Sequence, residues 1–143
     1  MAKRRGGVPR ACPRGVGSSL NIDTLKLLEK ARRAIHAAET LLQHGDVDFA
    51  AGRAYYAMFY IAEAVLSEKG FRSRKHGGVH AQFGEQFIKT GLMDAKFHRF
   101  LLDAFDRRLQ GDDGYDAVLG AKEVTEMIEQ AGEFLKEAEK FLG

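Results

Sequence analysis

The chain has 143 residues, 45% of them hydrophobic, which is enough for one well-filled core and too few for two ordinary domains. Residues 1–17 contain five of the 22 basic residues and no acidic one, so the rest of the chain carries 17 basic against 20 acidic residues. This slight acidic excess argues against a nucleic-acid-binding surface spread over the folded body. A secretory apolar stretch is missing and the single cysteine cannot form an internal disulfide, so we expect a cytoplasmic protein.

Residues 1–18 predict a flexible basic tail ahead of one folded domain at 19–143. The segment is rich in glycine, proline and arginine and has almost no large apolar residue. Burial therefore cannot compensate for the entropy lost on ordering it. Three interpretations stay open: a leftover of cloning or of a start site assigned too early, a nucleic-acid-binding arm, and a targeting segment.

From Ser19 onward the chain has no proline, and apolar residues recur at helical spacing. No strand pattern competes, so we predict an all-α fold, an up-and-down bundle of about five helices joined by short turns. Glycines and capping residues mark the helix ends. The predicted helices run from Asn21 or Asp23 to His44, from Asp46 or Asp48 to Gly70, over 76–90, over 94–110, and from Asp116 to Leu142.

The second predicted helix is apolar almost all round. In residues 50–66, AAGRAYYAMFYIAEAVL, the exceptions are one glycine, Arg53 and Glu63. The run is short for a membrane span and carries two charges, so we place it at the centre of the bundle. A buried arginine needs a carboxylate, a phosphate or water, because an unpaired guanidinium is costly to bury. Arg53 could therefore pair with Asp106 or Asp113, or bind a ligand phosphate.

The last predicted helix has the most regular apolar repeat, flanked by Met127, Phe134 and Phe141. Such a heptad seam fits packing within a bundle or across a dimer, and both remain open. The seam consists of Ala121, Val124, Ile128, Ala131, Leu135, Ala138 and Leu142.

Two histidines stand four residues apart in KHGGVHAQFGEQFIKTG, residues 75–91. His76 and His80 would share one face of the third helix, as metal ligands must, but no cysteine or evident third ligand accompanies them. We therefore predict no metal and no cofactor, and no role for His80 beyond its place on the helix. The buried stripe of this helix is predicted to be Val79, Phe83 and Phe87.

Three separated motifs carry a resemblance to a known family. They are GRAYYAMFYIAEAVLSEKGF, then KHGGVHAQFGEQFIKTGLM, then an arginine near the end of the fourth helix followed by DDGYD. Together they resemble the short, single-domain prokaryotic branch of the HEPN domain superfamily, over residues 22–142. The resemblance implies a helical bundle, frequent homodimerisation and frequent pairing with a minimal nucleotidyltransferase, as in toxin–antitoxin modules. Relatives include toxins, metal-independent ribonucleases, nucleotide-binding proteins and non-catalytic interaction domains.

The ribonuclease branch of that family carries an arginine, four to six residues, a histidine and often a tyrosine two residues later. Here Arg108 is followed by four residues, then Asp113 and, two further on, Tyr115. The resemblance makes these three the candidate catalytic residues of a metal-independent endoribonuclease. The aspartate argues against full activity, since a carboxylate with a pKa near about 4 is a poor proton donor and repels phosphate.

Each of these positions has a second interpretation. Asp113 could hold Arg108 in place or cap the fifth helix. Tyr115 could be a phosphate-binding hydroxyl, a nucleotide-modified acceptor as in some relatives, or an aromatic plug between helices. Whether the protein is an enzyme therefore stays open at the level of sequence.

The candidate nucleotide- or phosphate-binding residues are Arg53, Tyr56, His76 and Arg107. We expect a toxin-type or nucleotide- or RNA-binding protein, one half of a two-component module with a nucleotidyltransferase-like partner. We expect it to act as a homodimer and away from membranes. The alternative is a non-catalytic helical dimerisation or partner-binding module without nucleotide binding.

Overall fold

The computed structural model of the protein describes residues 20–72, 75–113 and 119–143, and every regular element within those ranges is helical. This confirms the predicted all-α class. The tail predicted at 1–18 and the candidate Tyr115 lie outside the described residues. The elements are α1 (Ile22–Gln43), α2 (Val47–Glu68), α3 (His76–Phe83), a π-helical segment (Gly84–Ile88) that continues α3, α4 (Ala95–Asp113) and α5 (Ala121–Leu142).

Helix α2 lies at the centre of the bundle, as its apolar sequence predicts. It packs against α1, α3, α4 and α5. Tyr55, Met58 and Ile61 have no exposed surface, and alanines of α1 and α2 are buried around them. Gly45, with a φ of +86°, allows the tight turn between α1 and α2.

The start of α1 is tied to the end of α2 through Asn21. Its Oδ1 accepts from the Thr24 backbone N–H at 2.8 Å, and its Nδ2 donates to Glu68 Oε2 at 3.0 Å. We expect Asn21→Ala to lower the free energy of unfolding by about 1 kcal/mol, measured by urea denaturation, because the cap is lost. Asp46→Ala is the control, since Asp46 caps α2 without a side-chain bond. Equal losses in the two variants would contradict the assignment of Asn21 as the cap.

Helix α4 is longer than predicted. It passes through Gly111, the expected stop, and ends at Asp113. Glycine weakens a helix by about 1 kcal/mol without forbidding it, and it ends helices most readily where φ turns positive, as at Gly91. Asp113 therefore belongs to the last turn of α4 and not to the loop beyond it.

Helix α5 begins at Ala121, so the predicted start at Asp116 is wrong. Gly120 is the extended N-cap, and its N–H donates to Glu123 Oε1 at 3.0 Å. This local bond satisfies a backbone donor at the helix start.

The seam of α5 faces the interior of the bundle. Ala121 is exposed and Leu135 only partly buried, whereas Met127 and Phe134, predicted as flanking residues, are almost fully buried. Contacts with α1, α2 and α4 of the same chain account for this burial. The buried residues of α5 are Val124, Met127, Ile128, Ala131, Phe134, Ala138 and Leu142.

Candidate functional site

Two arginines from different helices lie over one aromatic ring. The Cζ atom of Arg53, on α2, is 5.0 Å from the ring centroid of Tyr56, and that of Arg108, on α4, is 5.3 Å from it. Arg53 and Tyr56 are three residues apart on one helix, which puts them on the same face. The arrangement opens into a pocket of about 520 Å³, here called the arginine pocket, lined by Leu41, Phe49, Gly52, Arg53, Tyr56 and Arg108.

One predicted partner of Arg53 was Asp106, and the buried ion pair between these two residues does not form. The arginine is half-buried at the edge of the arginine pocket, and the described part of the chain shows no ion pair between these two residues. The other predicted partner, Asp113, has its side chain outside the described residues. Cation–π contact with Tyr56 and access to solvent satisfy the charge instead.

A second polar cluster lies beside the arginine pocket, around Tyr55, whose ring centroid is 5.2 Å from that of Tyr56. The Tyr55 hydroxyl is hydrogen-bonded both to His76 Nδ1, at 2.7 Å, and to His80 Nε2, at 2.8 Å. Tyr55 and His80 are buried and His76 is half-buried. His80 therefore has a defined polar partner, and the prediction that it has no role beyond its helix is wrong.

Burial determines the charge state of this cluster. It raises the pKa of Tyr55 well above its usual value, and the hydroxyl keeps its proton. Burial and the neighbouring charges of His76 and His98 lower the pKa of His80 to about 4, although Asp106 opposes the shift. Burial, followed by the charge of Arg108, lowers the pKa of His76. Both imidazoles are therefore neutral at neutral pH.

His98 supports the cluster from α4. Its Nε2 donates to the His80 carbonyl at 3.0 Å, and its ring lies against Gly84. A Cβ atom at Gly84 would lie 3.0 Å from His98 Cε1, so a larger residue there would require the His98 ring to shift. The π-helical segment begins at this same glycine, and such segments are frequent at functional sites.

The structure brings together most of the predicted site residues whose side chains it describes. Arg53, Tyr56 and Arg108 share the arginine pocket, and His76 lies beside them with its ring centroid 5.7 Å from that of Tyr56. Arg107 is half-buried and does not line the pocket. The side chain of Asp113 is not described, so the arrangement of the motif around Arg108 stays a prediction.

Sequence reasoning missed Tyr55 as a polar residue. A tyrosine in an otherwise apolar, buried helix needs a hydrogen-bond partner for its hydroxyl. The histidines four residues apart on the next helix were the available partners, because that spacing puts both rings on one face. This spacing allows the two rings to share one hydroxyl, but which tyrosine supplies it depends on how α2 packs against α3.

A family model for the HEPN domain matches residues 24–141. The chain belongs to the HEPN family. Among its relatives is "Putative toxin MJ0142" of Methanocaldococcus jannaschii, 35% identical over 119 residues, which are 82% of this chain and 80% of that protein. A "UPF0332 protein" of Thermotoga maritima is 34% identical over 113 residues, covering 79% of this chain and 86% of its own length.

The HEPN assignment confirms the resemblance carried by the three motifs. Two relatives of this HEPN chain carry toxin names, and both come from Methanocaldococcus jannaschii. No helix in the described ranges is long and apolar enough to cross a membrane. Across those same ranges, no three His, Cys, Asp or Glu side chains converge as metal ligands would, and the paired histidines meet at Tyr55.

Proposed function

We propose that this HEPN protein is a toxin-type protein that binds a nucleotide or RNA phosphate in the arginine pocket. The observation that carries the proposal is the convergence of Arg53 and Arg108 on the Tyr56 ring, 5.0 and 5.3 Å from its centroid. A guanidinium donates two parallel N–H bonds to phosphate oxygens, and an aromatic face beside it can stack on a base.

The charge of the arginine pocket supports an anionic ligand. Arg53 and Arg108 are the charged residues that line it. A second pocket, of about 460 Å³, also contains cations, but Asp23 and Glu63 line it as well, and Asp23 is paired with Arg72. By its lining residues the arginine pocket is therefore the more positively charged of the two, and phosphate binding is electrostatically favoured there.

The two-component part of the proposal rests on the toxin-named relatives, on an exposed phenylalanine of the arginine pocket and on exposed leucines of α4. Phe49 is 62% exposed at the pocket edge, and Leu102 and Leu109 are 38% and 36% exposed on α4. These side chains are suited to contact with a second copy or a nucleotidyltransferase-like partner. Light scattering of the purified protein tests the homodimer, and co-purification with a tagged candidate partner tests the module.

The same exposed phenylalanine favours the second candidate function, a partner-binding bundle that binds no nucleotide. Phe49→Ser separates the two candidates. If the protein is only a partner-binding module, this variant loses the partner and the wild type binds no RNA or nucleotide. If the arginine pocket binds phosphate, the wild type binds RNA in the absence of the partner, and this binding depends on Arg108.

We expect Arg108→Ala and Arg53→Ala each to weaken the binding of a fluorescein-labelled single-stranded RNA oligomer by about 10-fold or more, measured by fluorescence anisotropy. The reason is the loss of a charge-assisted phosphate contact, and a tenfold change in Kd corresponds to about 1.4 kcal/mol. Each substitution should also make the affinity less sensitive to salt, because fewer counterions are released.

Arg99→Ala is the matched control, since Arg99 is an exposed arginine on the same helix as Arg108. It should change the Kd less than about twofold, as expected for a screened surface charge. An absence of binding by the wild type at low salt would end the proposal, and so would equal weakening by Arg99→Ala and Arg108→Ala. A thermal-shift titration with nucleotides shows whether mononucleotides suffice, because a ligand of the folded state raises the Tm.

A further inference from the structure

The pocket of about 460 Å³ lies apart from the arginine pocket, between the start of α1 and the end of α2, and its volume is in the range of small-molecule sites. No described residue lines both pockets. It is here called the lysine pocket, and its lining includes Lys26, Lys30, Tyr60, Ser67 and Phe71. The proposed binding of RNA phosphate does not use it.

Contacts between α1 and α2 define the length of the lysine pocket. At one end Lys30 Nζ lies 4.7 Å from the ring centroid of Tyr60. At the other end Asn21 Nδ2 donates to the Ser67 carbonyl at 3.4 Å. Tyr60 and Ser67 are seven residues apart on one helix, which is about 10 Å by helical rise. The lysine pocket is therefore an elongated groove with a different polar group at each end.

Two lysines stand one helical turn apart on the α1 wall of the groove. Lys26 and Lys30 have the i, i+4 spacing that puts both ammonium groups on one face, where like charges repel. Arg72, the other cation of the lining, is paired with Asp23. With Glu63 the lining has three cations against two acids, a net charge of +1. A ligand with a single negative charge neutralises this lining, whereas a polyphosphate would exceed it.

The walls between the charged groups are apolar. Leu66 and Val79 are almost fully buried, and Leu27 and Phe71 pack half-buried against the core. The ring of Tyr60 adds an aromatic surface. Such walls bind the apolar body of an organic ligand through the hydrophobic effect, and a simple inorganic anion gains nothing comparable from them.

Ser67 indicates that the ligand has a polar group at the end of the groove away from Tyr60. Its side chain lines the lysine pocket, the residue is only 7% exposed, and its Oγ has no hydrogen-bond partner among the described residues. A buried hydroxyl without a partner is costly. A serine side chain has three staggered rotamers, so this hydroxyl can turn to a ligand atom and can donate to it or accept from it.

We propose that the lysine pocket binds a small monocarboxylate whose apolar body ends in an uncharged hydroxyl, as in a hydroxyphenyl carboxylic acid. Lys26 and Lys30 receive the carboxylate, the apolar walls hold the body, and Ser67 bonds to the hydroxyl. The site is separate from the arginine pocket, so the proposal stands or falls independently of RNA binding.

Matched ligands test the chemistry on the full chain by two-dimensional NMR titration, in which the backbone amides of Leu27 and Leu66 should shift saturably. The probe is para-hydroxyphenylpropionate. Its amide, which lacks the negative charge, should bind at least about fivefold more weakly, because the lysines lose an ionic partner. Phenylpropionate, which lacks the hydroxyl, should bind about threefold more weakly. L-Tyrosine, which adds an ammonium group, should bind no more tightly than the probe.

Lysine variants locate the carboxylate. Lys26→Ala and Lys30→Ala should each raise the Kd of para-hydroxyphenylpropionate by at least about fivefold, since one charge-assisted contact is lost. Arg33→Ala is the matched control, because Arg33 is an exposed cation of the same helix and does not line the lysine pocket. It should change the Kd by less than about twofold.

Ser67→Ala tests the hydroxyl in two ways. The free protein loses a buried group that has no partner among the described residues, so its Tm should be unchanged or higher. The variant should bind para-hydroxyphenylpropionate and phenylpropionate equally well, since the group that distinguishes them is gone. A serine with a merely structural role would lower the Tm on replacement and leave the ligand preference as in wild type.

Several results would overturn the proposal. Equal binding of the carboxylate and its amide would mean that an apolar body suffices, and tighter binding of L-tyrosine would mean that Glu63 receives an ammonium group. Equal weakening by Lys26→Ala and Arg33→Ala would place the carboxylate elsewhere, and a ligand preference retained in Ser67→Ala would remove the role of Ser67. An absence of saturable binding at millimolar ligand would end the assignment of a site here.

Discussion

Replacing Phe134 by alanine should lower the free energy of unfolding by about 3–5 kcal/mol. Phe134 has no exposed surface, and its ring centroid lies 5.3 Å from that of Phe83 and 5.4 Å from that of Phe97. It thereby joins α5 to both α3 and α4. Truncation removes the buried ring and leaves a cavity that a close-packed core fills only partly. Guanidinium denaturation followed by far-UV circular dichroism measures the loss.

Phe141→Ala is the matched control on the same helix. Phe141 packs edge-on against Phe87 with ring centroids 5.2 Å apart, but it is 36% exposed. Less apolar area returns to water and no closed cavity forms, so its cost should be less than half that of Phe134→Ala. Similar losses at the two positions would mean that Phe134 is not a central element of the core.

The position of Phe134 illustrates how far the sequence predicts this fold. Helical spacing and the glycines at 45, 70 and 91 predict where the first three helices end. Glycine readily adopts a positive φ, and all three glycines have one in the structure. The ends near 111 and 120 could not be predicted, because a helix can contain one glycine and the N-cap of α5 depends on a local bond from Glu123. The heptad pattern also predicted Leu135 as a seam residue and Phe134 as a flanking one. In the packed bundle Phe134 is buried and Leu135 only partly so.

The cations of the candidate site could be predicted from the sequence, and the hydrogen bonds of its histidines could not. Arg53 and Tyr56 share a face by spacing, and the family motif pointed to Arg108. The bond between Tyr55 and the histidines depends on how α2 packs against α3, and sequence spacing within one helix does not contain that information. The hydrogen-bond partners of Tyr55 therefore follow from the contact between the two helices and not from the periodicity of either helix.

The second large effect is a loss of stability in acid caused by His80. Its pKa is near 6.5 in an unfolded chain and is lowered to about 4 by burial in the folded protein. Between these values the unfolded state binds more protons, so stability is complete above about pH 6.5 and falls as the pH is lowered towards 4. A difference of that size corresponds to about 3 kcal/mol, since one pKa unit is about 1.4 kcal/mol.

His80→Gln isolates this effect, because an amide at the Nε2 position can still bond to the Tyr55 hydroxyl and does not titrate. Urea denaturation at a series of pH values should give a stability curve that falls less steeply below about pH 6.5 than that of wild type. The charges of His76, His98 and Asp106 act on His80, so the difference between the two curves reports His80 together with these neighbours. His36→Gln, at an exposed position, should keep the wild-type slope. If the slopes of wild type and His80→Gln coincide, His80 is not held neutral against Tyr55.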